Sequence, residues 1–298
     1  MKKFEKTADL WRSIVRQANT TTKTIDKAVS KPVESFGIRQ VGILISRRVA
    51  VPTIDEDELA GLCDNDLPEI ITRHIESEYL DDAVQGYFRF GTTGGYRANE
   101  EKVVGRFGDV SEGRMHQIFN TPTGYHSSIN IGGGRLSNNF ASPSMDQVVY
   151  EERVNDFCSC STIGEFEKNR ATIFKAKGNP KLGAFVSYDL SRLSTALKSV
   201  VFNEIKTQGL GLVSRRVEYG WKDVKWDIPE KFVYESLASE IEKWLSISFI
   251  KPLSFQHEEE LRILLVNRNK LGQMDETTRP LELRNKLIAD AIVDYGRF

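Results

Sequence analysis

Glu258, Glu259 and Glu260 stand in a row directly before an apolar run, Leu261–Val266, that is interrupted only by Arg262. In an extended chain alternate residues face the same side. Glu258, Glu260 and Arg262 then share one face, and His257, Glu259 and Leu261 the other. Two carboxylates at i and i+2 beside a buried stretch repel one another. They are tolerated where water, a cation or a ligand reaches them, and they are the groups that acid–base or electrostatic catalysis uses. Gln256–Val266 therefore reads as a core strand whose opening turn presents charge to a functional cleft. The competing reading is a solvated edge strand in which Arg262 pairs with Glu260.

Two further segments carry chemistry. In Asp156–Thr162, Phe157, Ser159 and Ser161 share a strand face, and hydroxyls at i and i+2 can donate to a carboxylate on a neighbouring strand. Ser and Thr at a strand end also serve as turn and cap formers. In Gly86–Thr92, Arg89 sits mid-strand among aromatics. A guanidinium there needs a carboxylate or an anionic ligand, such as a pyrophosphate held by a bidentate fork.

The elements that must position these residues follow from pattern. From Gly86 onward, short β-rich runs are separated by Gly, Asn, Asp and Ser. Strands are expected at Tyr87–Phe90, Met115–Phe119, Ser127–Ile131, Gln147–Tyr150, Asp156–Ser161, Ala184–Tyr188, Leu212–Tyr219, Phe249–Phe255, Leu261–Val266 and Ala289–Tyr295. Helices are expected at Ile163–Lys177, Ser191–Thr207 and Lys231–Ile247, and another from Leu67 to about Ser77. Val41–Ile45 suits a strand or a helix. Strands in clusters with helices between them, without strict alternation, indicate an α+β fold. Residues 1–84 read as a helical N-terminal section and 85–298 as a mixed α+β domain.

The 298 residues carry a net charge of −1, so no global basic field draws the chain to a polyanion or a membrane. No apolar run approaches the ~20 residues that span a bilayer. Cys63, Cys158 and Cys160 show no metal spacing; they read as small core residues of a protein from a reducing, cytoplasmic compartment. His74, His116, His126 and His257 form no zinc pattern. The clusters Gly91–Gly95 and Gly132–Arg135 lack a strand–glycine–helix frame and read as turns.

Taken in order, Arg89, then Ser159-Cys-Ser161-Thr162, then Glu258-Glu-Glu260 resemble the arginine–serine–glutamate class of ADP-ribosyltransferases. The order of motifs also resembles a bacterial family of unknown function common near abortive-infection and phage-defence genes. That match runs through Tyr87-Phe-Arg89, Gly108–Gly113, Cys158–Ser161, Gly183–Asp189, Phe255–Arg262 and Ile288–Gly296. Two departures stand out: Val110 replaces a frequent proline, and Glu165–Lys177 replaces a Met-Trp-x-x-Tyr-Ala helix.

The resemblance implies a mainly antiparallel β-core with flanking helices, NAD as substrate and no metal. It implies Glu260 as the catalytic carboxylate, Glu258 as the group orienting the acceptor, and Ser159, with Ser161, as the brace of Glu260. Arg89 becomes the diphosphate anchor, with Gly91 beside the cofactor; Tyr125, in Thr121-Pro-Thr-Gly-Tyr-His126, suits either stacking on a nicotinamide or base or packing within a turn. The product of such a site is ADP-ribose on RNA, DNA or protein. The setting is a toxin or phage-defence effector with an antitoxin partner. Two other readings stay open: a metal-dependent nuclease using Asp109 or Asp156 with Glu260 and Arg262, and a non-enzymatic nucleotide-sensing or partner-binding module.

Overall fold

The computed structural model describes residues 43–49, 51, 53–96, 112–120, 127–131, 134–138, 147–177, 179–201, 209–220, 224–227, 233–235, 240–272 and 279–298. Among them, eight strands build the central sheet. These are β1 (Ile70–Glu76), β2 (Tyr87–Thr92), β3 (Phe157–Ile163), β4 (Leu182–Asp189), β5 (Leu210–Arg216), β6 (Glu260–Asn267), β7 (Leu281–Arg284) and β8 (Ile292–Arg297). The accompanying helices include α1 (Glu56–Gly61), α2 (Leu80–Val84), α3 (Lys168–Lys177), α4 (Leu190–Val200), α5 (Glu240–Phe249) and α6 (Lys286–Ala289). The order across the sheet is β5-β6-β3-β1-β4-β8, with β2 between β3 and β7. Every pairing in this sheet is antiparallel, so the fold is α+β with a mainly antiparallel core.

The sheet divides at β3. One edge carries β6, from Glu260 opposite Thr162 to Leu265 opposite Phe157. The other edge is shared. Ile71 and Thr72 of β1 face Ile163 and Thr162, whereas Gly91 and Thr92 of β2 face Cys158 and Phe157. Arg73 spans the fork, with its guanidinium 4.3 Å from the Phe88 ring centroid and donating to the Arg89 carbonyl at 3.1 Å.

Both faces of the centre are covered, which is why β6 is buried along almost its whole length and apolar from Ile263 to Val266. On one face, Phe88, Phe90, Tyr188, Leu261, Ile263 and Leu265 pack with the stripe Leu193, Ala196, Leu197 and Val200 of α4. That helix starts where the Asp189 carboxylate accepts the Arg192 N–H at 2.9 Å. On the other face, Cys158, Val213, Leu264 and Val266 pack with Trp244, Ile247 and Phe249 of α5. A second sheet, Ile43–Arg48, Gln147–Arg153, Arg114–Asn120 and Val224–Asp227 in that order, joins α5 through the buried pair Lys243–Glu152 at 3.6 Å.

Several expectations change. The helix expected from Leu67 to Ser77 is β1. Leu67, Ile71 and Ile75 recur at helical spacing, but the segment is rich in β-branched residues, which suit a pleated surface. Because β1 is an interior strand of the sheet, residues 70–84 belong to the same unit as the rest of the chain and not to a separate helical section. The strand expected over Phe249–Phe255 is the end of α5, a two-residue strand Ile250–Lys251, and a 3-10 turn Leu253–Glu258. The expected helix Lys231–Ile247 gives way to a short strand at Val233–Glu235 and to α5.

Asp156 fixes the entrance of β3. It is fully buried, accepting the Trp244 indole N–H at 2.7 Å and the Gly272 N–H at 3.2 Å. Burial pushes its carboxyl from 3.8 up to about 7, against the pull of those two donors. The folded value lies above the unfolded one, so its contribution to stability is complete below about pH 4 and lost as pH rises through about 7. Asp156→Asn keeps an acceptor without the charge and is expected to gain stability relative to wild type between pH 5 and pH 8. Asp156→Ala leaves the indole N–H unsatisfied and is expected to cost about 1–3 kcal/mol. Urea midpoints at both pH values check the two outcomes.

Candidate functional site

Five charged side chains of alternating sign meet at the start of β6: Glu112, Arg262, Glu260, Lys251 and Glu258. Lys251 lies on the two-residue strand that pairs in parallel with Glu218–Tyr219. After Pro252 the chain makes its 3-10 turn, and Glu259 takes a left-handed backbone, φ 43°. This reversal brings both Glu258 and Glu260 back to one ammonium. Lys251 Nζ donates to Glu260 Oε2 at 2.6 Å and to Glu258 Oε2 at 2.7 Å. Arg262 Nε donates to the other Glu260 oxygen at 2.6 Å, its Nη2 to Glu112 at 2.8 Å and its Nη1 to the Ser248 carbonyl. The Glu260 N–H donates to Tyr219 Oη at 2.8 Å.

The two carboxylates differ electrostatically. Burial alone would raise Glu260, which is 4 % exposed, but Arg262 and Lys251 outweigh it and hold the carboxyl far below the usual range. Glu258 has only Lys251. Burial pushes it up to about 7, helped by the negative charge on Glu260 and opposed by Lys251. One group is a fixed anion and the other titrates near neutrality.

Glu258 and Glu260 thus meet as expected, but through a turn and a shared lysine rather than strand alternation, since β6 begins only at Glu260. Glu259 points away and accepts from Arg170 Nη2 at 2.7 Å. Ser159 and Ser161 do not brace Glu260. The cross-strand partner of Glu260 is Thr162, so Cys158, Cys160 and Thr162 share its face, while Ser159 and Ser161 sit opposite Ile263 and Leu261 on the other. Both serine hydroxyls are buried without a hydrogen-bond partner.

Arg89 is exposed between the buried Phe88 and Phe90. It shares a face with Gly91, which pairs with Cys158, and hence stands on the Glu260 side of the sheet. Its cross-strand partner is Glu282 of β7, and β2 flanks β3 at Cys158 and Phe157, whereas Glu260 lies at the Thr162 end, which β1 flanks. Gly91 makes room for a neighbour: a Cβ there would fall 2.5 Å from the Tyr96 ring, whose hydroxyl donates to the Cys158 carbonyl at 3.3 Å. Tyr125 and Asp109 lie outside the described residues. Asp156 is six residues from Thr162, about 20 Å along β3, so it and Glu260 cannot share an ion. Among the described residues, no group of three or more His, Cys, Asp or Glu is arranged to hold a metal. Cys158 and Cys160 line one strand face, their sulfurs 3.7 Å apart.

Two residues of this site, Lys251 and Tyr219, carry no role in the sequence reading, and Thr162 and His74 enter it only as the end of the serine motif and as an isolated histidine. Lys251 leaves a signal, a lone cation in the apolar stretch Phe249–Leu253. His74, two residues beyond Thr72 on β1, shares the Thr162 face, with Nδ1 3.4 Å from the Thr162 hydroxyl. Its ring meets Phe174 of α3 edge-on at 4.9 Å, and its Nε2 is buried without a partner.

Burial, then the nearby Arg170 charge, lowers His74 from 6.5 to about 4. The neutral ring is the folded form, so its contribution to stability is complete above about pH 6.5 and lost as pH falls toward 4. The wild-type urea midpoint is expected to fall more steeply than that of His74→Gln between pH 7 and pH 4.5; equal slopes would rule out His74 as the source. No protein-family model, no curated protein and no solved structure matches the chain.

Proposed function

We propose that the chain is an NAD-dependent ADP-ribosyltransferase acting on a macromolecular acceptor. Glu260 is the carboxylate beside the nicotinamide ribose, Glu258 the general base and Arg89 the diphosphate anchor. The division of charge around Lys251 supports this reading most. Pairs of carboxylates whose surroundings push them apart are the means by which one site holds both a fixed anion and a proton acceptor.

As the C1′–nitrogen bond of NAD lengthens, positive charge develops on the ribose. An ionised carboxylate already held in place stabilises that charge without reorganisation. A carboxylate has about four acceptor positions, and Lys251 and Arg262 fill two of those on Glu260. Glu258, near neutrality, takes the acceptor's proton. Arg89, exposed on the same face, holds the dinucleotide in register. With its motif order, this activity suits a cytoplasmic toxin or phage-defence effector restrained by an antitoxin.

Incubating the purified chain with labelled NAD and separate RNA, DNA and protein pools tests the reading. NAD consumption or labelling is expected, with an ascending pH limb near 7 that Glu258→Gln removes. Glu260→Gln is expected to lower the rate by at least about 100-fold, the scale of losing one transition-state electrostatic contact. It also leaves two buried cations short of charge, so its stability is expected to fall by a few kcal/mol. Glu258→Gln is less buried and keeps the test interpretable. A wild-type chain that neither binds nor consumes NAD sinks the proposal.

A further inference from the structure

Lys168, Arg170, Lys175, Lys177 and Lys181 place five cations in fourteen residues with no acidic residue among them, in a chain whose net charge is −1. The segment comprises α3 and the loop into β4. Packing does not account for its composition. Ala171 is buried and Phe174 half-buried, whereas Lys168, Thr172 and Lys175 are exposed and Ile173 is 38 % exposed. Lys168 and Lys175 are two turns apart, about 10 Å along one side of the helix. Lys181 is 65 % exposed, with Nζ 3.9 Å from Glu76.

This basic surface borders the carboxylate site. Arg170 donates to Glu259, the residue between Glu258 and Glu260, at 2.7 Å, and to the Ile163 carbonyl at 3.2 Å. The Phe174 ring lies 6.3 Å from the His257 ring, in the turn that delivers Glu258.

We propose that α3 and the following loop are a docking surface for single-stranded RNA, which presents its acceptor hydroxyl to Glu258. The reaction rests on the transferase reading; the binding does not. A row of exposed lysines with few packing duties suits a phosphate backbone. An unpaired strand leaves bases free to stack on the aromatic and histidine rings at the lip. An acidic side chain, the other partner such a surface attracts, is already ionised and has no proton for Glu258 to take. RNA offers a neutral 2′-hydroxyl at every nucleotide. Its oxygen bonds to C1′ of the nicotinamide ribose as the C1′–nitrogen bond breaks. The bonding pair leaves on nicotinamide, and the hydroxyl proton passes to Glu258 and then to water.

Fluorescence anisotropy with an unstructured fluorescein-labelled RNA of about 20 nucleotides tests the docking, comparing wild type with the triple variant Lys168→Glu, Lys175→Glu, Lys181→Glu. The variant is expected to bind about tenfold or more weakly at 0.1 M salt and to lose about 2 units of salt slope, at about 0.7 per phosphate contact on a single strand. Its melting temperature and its NAD consumption without RNA are expected to match wild type, because all three positions are exposed. Absence of wild-type RNA binding, equal affinity in the variant, or labelling of DNA or protein in place of RNA overturns the proposal. RNA binding through α3 with no NAD consumption by wild type keeps the docking surface and removes the transferase reading.

Discussion

A single ammonium, that of Lys251, holds two carboxylates of unequal character at the mouth of the central sheet. Glu260 is nearly inaccessible to solvent, and a carboxylate there stays ionised only if its desolvation is offset by close cations. Lys251 takes one oxygen and Arg262 the other. Around this constraint the local chain is arranged. The 3-10 turn and the left-handed Glu259 return the backbone to Lys251, Tyr219 accepts the Glu260 N–H, and Glu112 and the Ser248 carbonyl occupy the rest of the Arg262 fork. Each cation is buried because each is answered by negative charge or a carbonyl. Removing any one member leaves another short of a partner.

The forked sheet gives this cluster its setting. Because β3 is shared by β1 at one end and β2 at the other, its face carries Thr162, beside Glu260 and His74, at the β1 end, Cys160 at the centre, and Cys158, beside Gly91, at the β2 end. Helix α5 covers that face from one side. Phe174 of α3 packs over His74 from the other. Glu258, in the turn before β6, keeps 22 % of its side chain exposed, whereas Glu260, on the strand itself, keeps 5 %.

Much of this was legible in the residues. The apolar run Leu261–Val266 announced an interior strand, and the glutamates before it announced charge at its end; both follow from local pattern. Strand parity named Glu258 and Glu260 and left out Glu259, which is the outcome, although the turn and not alternation produces it. Ser159 and Ser161 show where local pattern stops. Parity within β3 holds, but only the register against β6 decides which of its faces Glu260 shares, and register is a long-range property. The helix expected over β1 gives way to a strand for a similar reason. An apolar residue every four positions fits a helix as well as a strand, and its place between β3 and β4 is set by residues a hundred positions away. Lys251 is invisible to motif reasoning because its role depends on the turn that follows it.

The unequal carboxylates are the central claim, and side-chain carboxyl chemical shifts of 13C-labelled glutamate, followed by NMR against pH, test it most directly. The account predicts that the Glu258 resonance, assigned by loss in Glu258→Gln, titrates with a midpoint about 7, and that Glu260 stays ionised well below the ordinary glutamate value of 4.5. Two carboxyls titrating together near that ordinary value would contradict it.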